Sequence, residues 1–500
     1  MDKKRDVLSV IISAVIITLL FHKQSLGLNL LFFETAFLIW LLFTKQIQRK
    51  NKTLLTFGTG LLLSAFITVF THSVFAYVIN FLSLFTFIGI LIYPNVKSIL
   101  NAIGLAFVSI FNSQIIFFNE LFGIKFKGQK LGNHVWKYSI YIIPLIIIFI
   151  FIAIYSLSNP IFDNLVNWIA SLFRKNLWAV FKHFDFAILI TLFIGLFFAN
   201  FLFLRTENKD IVDYDLNADD KLKRLKEGSS DGSSTNSLMN EYKAGVFLLI
   251  ILNLLLVVLN AIDIKWVWFN FEWEGQYLKQ FVHEGTYLLI LSILISIFIV
   301  LFFFRANLNF YRKNRLLKIL SYIWLAQNAV LVLSVAIRNY RYINYFALAY
   351  KRIGVIIFLI LTLYGLYTVL IKVKLTKSAF YLFKKNTRAL FVILFISSIF
   401  NWDGIIAQYN FKKANQSFLH LNYLSTLSDK TLPYLDKSLA EMEGIDELQK
   451  EKFPFNEIFM TPQAYVDSIY NRKITFKQKW ESKSILSWNL PEYLAYKKLY

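Results

Sequence analysis

The chain reads as an all-α integral membrane protein, with about eleven transmembrane helices (11–12) and a small helical extracytoplasmic domain at its C-terminus. Three observations predict this. Of 500 residues, 57% are hydrophobic and only 17% charged, with a mean hydropathy of +0.54. Soluble domains are nearer a quarter charged and under half apolar. Twelve apolar runs approach the roughly 20 residues a helix needs to cross a bilayer. Beyond residue 401 the runs stop, and charges become frequent and balanced, 13 Lys+Arg against 12 Asp+Glu. The 52 Phe, 26 Tyr and 11 Trp exclude a wholly disordered chain, and the absence of Cys excludes disulfides, thiolate metal sites and cysteine nucleophiles.

The runs fall at 7–21, 26–44, 54–71, 74–93, 98–118, 138–156, 184–204, 244–263, 285–304, 316–337, 353–371 and 389–401. The first follows Lys3, Lys4 and Arg5, but Phe21-His22-Lys23-Gln24 is no small-x-small cleavage site, so it reads as an uncleaved anchor. Lys and Arg in short loops mark the cytoplasmic side. Loops 45–53, 119–137, 305–315 and 372–388 are basic and belong there; loop 264–284, rich in Trp266, Trp268 and Trp273, belongs outside. The N-terminus is then cytoplasmic and the tail extracytoplasmic, which demands an odd number of crossings. Run 98–118 carries Asn101, Asn112, Ser113 and Gln114. It is taken as re-entrant or interfacial, leaving eleven.

Four regions follow. Residues 1–204 form an N-terminal membrane bundle. It includes an amphipathic interfacial helix at 161–183, where Phe162, Leu165, Trp168, Ile169 and Leu172 recur at helical spacing. Residues 205–243 are a flexible acidic and Ser/Gly-rich cytoplasmic loop. Residues 244–401 form a C-terminal membrane bundle, and 402–500 the helical tail. The net charge of +22 is carried almost wholly by the membrane part. Basic loops explain it better than nucleic-acid binding, which wants a basic patch on a polar module.

No constellation for catalysis, metal or cofactor stands out, so a non-enzymatic protein without cofactor is expected. Asp213-x-Asp215-x-Asn217-x-Asp219 opens like a calcium loop, but Ala218 replaces the turn glycine and Arg224 the bidentate acid. The six histidines form no zinc-binding pair, and no phosphate-binding glycine loop is present. Some single residues remain. Glu34, in the middle of 26–44, is either an intramembrane proton or cation site or a protonated carboxyl bonded to a neighbouring helix. His283 and Glu284, at the entry of a span, are a candidate pair or plain interfacial residues beside Gly285. Arg338 and Tyr342, with Arg352 further on, suit the headgroup of an anionic lipid or polyisoprenyl phosphate; the same residue types also snorkel to the interface.

The order of these motifs is similar to one known family. Val282-His283-Glu284-Gly285-Thr286-Tyr287 is followed by Ala336-x-Arg338-x-x-x-Tyr342 and by Arg352. Asn401-x-Asp403-Gly404-x-Ile406-Ala407 and Leu421-x-Tyr423-Leu424 come after. This resembles a bacterial family of multi-pass membrane proteins known only as a domain of unknown function (four-one-seven-three, related to four-one-five-three), over about residues 140–500. The resemblance implies an architecture and adds Asp403 to the candidate residues. The chain departs from the family at Phe346-Ala347-Leu348-Ala349, where Tyr-Gly-Leu-Thr is favoured. The expected role is an uncharacterised inner-membrane scaffold or sensor. It would have the lipid bilayer, an anionic lipid and an unidentified protein as partners, and no nucleic acid. The alternatives are a transporter or channel using Glu34, and a lipid-handling enzyme using 338–352. The tail is expected to dock on loop 264–284.

Overall fold

The structure is a computed structural model. It describes residues 3–47, 51–123, 125–126, 129–130, 148, 151–152, 155–156, 158–181, 185–224, 233–270, 276–454 and 460–500. Apart from a minimal antiparallel pairing of Lys125–Phe126 with Gln129–Lys130, the described fold is helical. Among the described residues, seven helices are long and apolar enough to cross a membrane: Lys52–Thr71, Val74–Ile92, Ile99–Gly123, Ser237–Phe269, Gly285–Phe303, Arg315–Phe346 and Tyr350–Leu375. Ala379–Ser398 and Trp402–Lys412 make an eighth if counted together, bent by 63°. Val7–Phe21, Leu28–Phe43 and Ala187–Phe203 are apolar but shorter. Eleven of the twelve expected runs thus resolve into seven long helices, a bent pair and three short ones; the twelfth, 138–156, lies largely outside the described residues.

We label the N-terminal helices α1 (Lys3–Phe21), α2 (Leu28–Phe43), α3 (Lys52–Thr71), α4 (Val74–Ile92), α5 (Ile99–Gly123), α6 (Pro160–Phe181) and α7 (Phe186–Phe203). Local chemistry sets their ends. The side chains of Asn51, Ser73 and Asp185 accept from backbone N–H groups at the starts of α3, α4 and α7. His72, left-handed at φ 42°, closes α3. Gly89 of α4 permits the closest helix contact, since a Cβ there would lie 1.8 Å from the Ala102 carbonyl oxygen of α5.

The basic-loop rule fails at α5. Run 98–118 is one uninterrupted 25-residue helix, about 37 Å long at 1.5 Å per residue, and not a re-entrant segment. Its start is tied to Asp215, which accepts from Asn101 Nδ2 at 2.6 Å and from the Lys97 N–H at 2.6 Å. It runs antiparallel to α4, toward the face that carries the tail. Restoring this pass moves the chain at Gly123 to the side opposite 305–315, whereas loop 119–137 was expected on the same side. Polar residues along the helix did not mark a break. Gln114 and Asn200 bond each other across α5 and α7 at 2.7 Å, and Ser109 accepts from the Thr206 N–H.

A short helix follows, α8 (Lys209–Asn217), then the long α9 (Ser233–Asp263), which passes into a π-helical turn at Ile264–Phe269. The acidic linker is therefore partly built. Asp215 is fully buried and committed to α5, which leaves no calcium loop. Asp220 pairs with Lys384 at 2.5 Å, and its carbonyl accepts from the Ser378 N–H. Residues 225–232, holding most of the Ser/Gly run, lie outside the described residues.

The second bundle comprises α9, α10 (Gln276–Phe303), α11 (Arg315–Phe346), α12 (Tyr350–Leu375) and α13 (Ala379–Ser398). Its core runs through Leu249, Ile293, Val300, Phe304, Leu317, Leu331, Val332 and Val373. The N-terminal core is a separate cluster around Leu41, Leu61, Phe87, Ile88 and Phe201. The apolar side chains Ile161, Leu165, Trp168 and Ile169 of α6 are exposed.

The tail contains α14 (Trp402–Lys412), α15 (Leu421–Ser425), α16 (Leu432–Leu435), α17 (Leu439–Lys452), α18 (Pro462–Glu481) and α19 (Leu490–Leu499). Ser438 and Glu441 form a capping box at the start of α17. The tail does lie against the membrane part, and among the described residues its core is shared with the α11–α12 turn and not with 264–270. Its apolar residues Leu419, Leu421, Leu424 and Leu427 share one core with Ala347 and Ile353 of the α11–α12 turn. The Leu28 N–H bonds to the Trp488 carbonyl at 3.1 Å, an approach that needs Gly27, where a Cβ would meet that oxygen at 2.6 Å. Loop 264–284 cannot serve as the cover in its described part. The π-turn packs on α11 instead, with Trp268 Nε1 donating to Ser334 Oγ at 3.0 Å. Trp273 lies outside the described residues.

Candidate functional site

A cavity of about 370 Å³ opens where α10, the α11–α12 turn and the tail meet. Thr286 and Tyr287 line it from α10, Asn339 and Tyr342 from α11, Lys351 and Arg352 from α12, and Asn410, His420 and Tyr423 from the tail. Three regions far apart in sequence thus build one wall set.

The turn 347–349 shapes the cavity. Ala347 sits at φ 60°, ψ −167°, a region populated almost only by glycine. It is the position where the resemblance favours Gly. Surroundings hold the strained turn in place. Arg352 Nη1 donates to the carbonyls of Phe346, at 2.6 Å, and Ala347, occupying acceptors that the end of α11 leaves open. Asn410 accepts from the Leu348 N–H at 2.8 Å and donates to its carbonyl at 3.0 Å. The guanidinium of Arg352 also lies 4.7 Å from the centre of the Tyr342 ring.

Behind this wall is a buried ion pair. Arg338, 4% exposed, donates to Asp263, 3% exposed. Gly285 faces it; a Cβ there would stand 3.5 Å from Arg338 Nη1. Nearby, Thr286 is 4% exposed and its hydroxyl has no hydrogen-bond partner. A buried polar group without a partner is costly, so an orphan hydroxyl on a cavity wall marks a place for a guest or a water.

Asp403 does not line the cavity. It staples the tail to α12: its oxygens accept from Tyr350 Oη at 2.7 Å and Ser428 Oγ at 2.5 Å, with Lys430 Nζ at 3.4 Å. Lys430 also donates to the carbonyls of Thr71 and His72 at 2.7 and 3.1 Å, closing the end of α3. Burial pushes the Lys430 ammonium below its ordinary pKa, against the pull of Asp403. A second contact joins Glu492 of α19 to His72 at 3.4 Å and to Lys483. Burial alone would raise the Glu492 carboxyl; the bonds from His72, Lys483 and Asn489 overcome it and hold the group at about 2.

Of the residues singled out in the sequence, Tyr342 and Arg352 therefore line one cavity, Arg338 stands just behind it, and Asp403 anchors its tail wall. The side chains of His283 and Glu284 lie outside the described residues. Glu34 is elsewhere, wholly buried among α2, α3 and α4. Asn80 donates to its Oε2 at 3.1 Å and to Ser64 at 3.0 Å, while Oε1 has no partner. Sequence reading missed Asp263, Thr286 and His420. Asp263 carried a signal, as the one acid at the end of an apolar run that an arginine on another run could reach.

A family model described as Domain of unknown function (DUF4153) matches residues 35–438, and the chain belongs to that family. The match is to the relative of the family suggested by the motifs. It reaches further toward the N-terminus than the 140–500 expected, and it stops short of most of the tail. No curated protein and no solved structure matches the chain.

Proposed function

We propose that this member of the DUF4153 family is a non-enzymatic membrane protein that binds an anionic amphiphile at the tail face and registers it through the tail. The ligand class is a lipid carrying a phosphate headgroup, such as a phospholipid or a polyisoprenyl phosphate. The observation that carries the reading is the cavity itself. Cationic Lys351 and Arg352 and the unpartnered Thr286 hydroxyl stand on the membrane helices, and Asn410, His420 and Tyr423 face them from the tail. A phosphate suits guanidinium and hydroxyl donors, and the surrounding apolar walls suit an acyl or prenyl chain. Tail residues form part of the wall, so occupancy changes what the tail packs against.

The reading places the tail outside a bacterial inner membrane. Its support is that the basic loops 305–315 and 372–388 lie on the opposite face, where positive loops mark the cytoplasm. Reporter fusions after residues 310 and 420 are expected to give cytoplasmic and outside signals respectively. The binding test uses full-length protein carrying Thr286→Val and Lys351→Gln, neither of which removes the Arg352 contacts to the turn. Phosphatidylglycerol is expected to protect amides of 410–427 from hydrogen exchange in the parent protein and to lose that effect in the double variant. Equal protection in both would sink the reading.

A further inference from the structure

The face opposite the tail holds a second cavity, of about 360 Å³, lined by α10, α12 and α13. One buried cation on its wall meets no counter-charge among the described residues. Three Lys or Arg residues count as buried among the described residues: Arg338, Lys372 and Lys430. Arg338 meets Asp263, and Lys430 meets Asp403. Lys372 is 3% exposed, and among the described residues no carboxylate pairs with it. Its Nζ donates to the Phe304 carbonyl at 2.7 Å, closing the end of α10. An ammonium has three donors, and a backbone carbonyl neutralises no charge. A buried charge without an opposite partner is strongly disfavoured, so an anion seated in this cavity would stabilise the ammonium.

The rest of the cavity indicates what brings it. Arg305 stands on the same wall; it is bound to Glu241 at 3.1 Å and lies 3.8 Å from the centre of the Phe302 ring. Toward the middle of the bundle most of the lining is apolar, with Ile297, Leu301, Val369 and Phe383, beside the polar Asn386 and Thr387 of α13. Gly365 leaves the floor open, because a Cβ there would meet only Asn386 Oδ1, at 4.0 Å. A cationic end joined to an apolar trough between membrane helices is complementary to one anionic lipid.

We propose that this groove binds the headgroup of an anionic phospholipid from the leaflet opposite the tail, with Lys372 as its charge partner and the chain lying over Gly365. The site is separate from the tail-face cavity and does not depend on it.

The test is native mass spectrometry of the full-length protein, titrated with dioleoylphosphatidylglycerol or dioleoylphosphatidylcholine. The parent protein is expected to retain phosphatidylglycerol in preference to phosphatidylcholine. Lys372→Met removes the charge, and Gly365→Phe fills the trough while leaving the Lys372–Phe304 bond in place; each is expected to weaken the retained adduct roughly tenfold. If Lys372→Met does not fold, Gly365→Phe decides. Thr286→Val with Lys351→Gln, on the other face, is expected to leave this adduct intact, which separates the two sites. Equal retention of the two lipids by the parent protein overturns the proposal. So does undiminished phosphatidylglycerol binding by Gly365→Phe, which would leave Lys372 as a helix cap only. A dimer that dissociates on Gly365→Phe would overturn it too, by placing a second copy in the groove.

Discussion

Glu34 and Asp263 are both buried acids on membrane helices, and their surroundings treat them in opposite ways. Glu34, in the N-terminal bundle, meets an amide and, through it, a hydroxyl, with no cation paired to it among the described residues. Asp263, in the C-terminal bundle, meets Arg338. The first is an acid tolerated inside a polar cluster. The second is half of an ion pair that neither partner can lose alone. Depth in an apolar run drew notice to Glu34, yet the partner across the helix interface decides how much a buried acid matters.

Asp263→Ala is the strongest way to break this comparison. It strands Arg338 in the bundle and is expected to cost about 3–5 kcal/mol. Chemical unfolding in detergent measures it, and Asp263→Leu combined with Arg338→Leu is expected to recover much of the loss. A single variant as stable as the parent would show that Arg338 finds other support.

Acid sharpens the contrast at a third carboxylate. Glu492 is held at about 2 in the folded chain against an ordinary value near 4.3. A depressed carboxyl stabilises above its unfolded pKa, and the contribution fades as pH falls through the folded value. Docking of α19 on His72 is therefore expected to weaken between about pH 4.5 and 2, by an amount of the order of 3 kcal/mol. Hydrogen exchange at 483–499 follows it, and Glu492→Gln should flatten the pH dependence over that window.

Ala347→Gly tests whether the cavity wall stores strain. Restoring the residue that tolerates φ 60° is expected to raise stability by about 1–2 kcal/mol, read as a higher midpoint in the same unfolding assay. A lower midpoint would mean that the alanine methyl contributes more packing than its backbone costs. The smallest effect belongs to Glu34→Gln. Gln keeps the shape and can still accept from Asn80, so stability is expected to stay within about 0.5 kcal/mol. If lipid binding and unfolding are unchanged but a proton-coupled flux disappears, Glu34 is a transport residue and its buried cluster has a second use.

Much of the fold was legible because burial in a membrane leaves a one-dimensional record: apolar runs of the right length, basic residues between them and a polar tail after residue 402. The candidate site was half legible. Tyr342 and Arg352 stand close in sequence on either side of one turn, so their joint placement follows from the helix ends. Arg338, one helical turn before Tyr342, shares that placement, but its partner Asp263 comes from another helix. Asp403 carried a motif, yet only its bonds to Tyr350 and Ser428 reveal a staple between tail and bundle.

The sequence by itself determined the class of the protein, an all-helical chain with several apolar spans, because hydropathy depends on composition and spacing alone. Only the tertiary structure decided that 98–118 is an unbroken helix, and that the tail docks on the α11–α12 turn. It alone assigned carboxylates to Arg338 and Lys430 and, among the described residues, none to Lys372. The reason is common to all three. Polar groups in a membrane protein are satisfied by neighbours on other helices, and which helices become neighbours is fixed by packing contacts such as Gly89 against Ala102, which no single run of residues encodes.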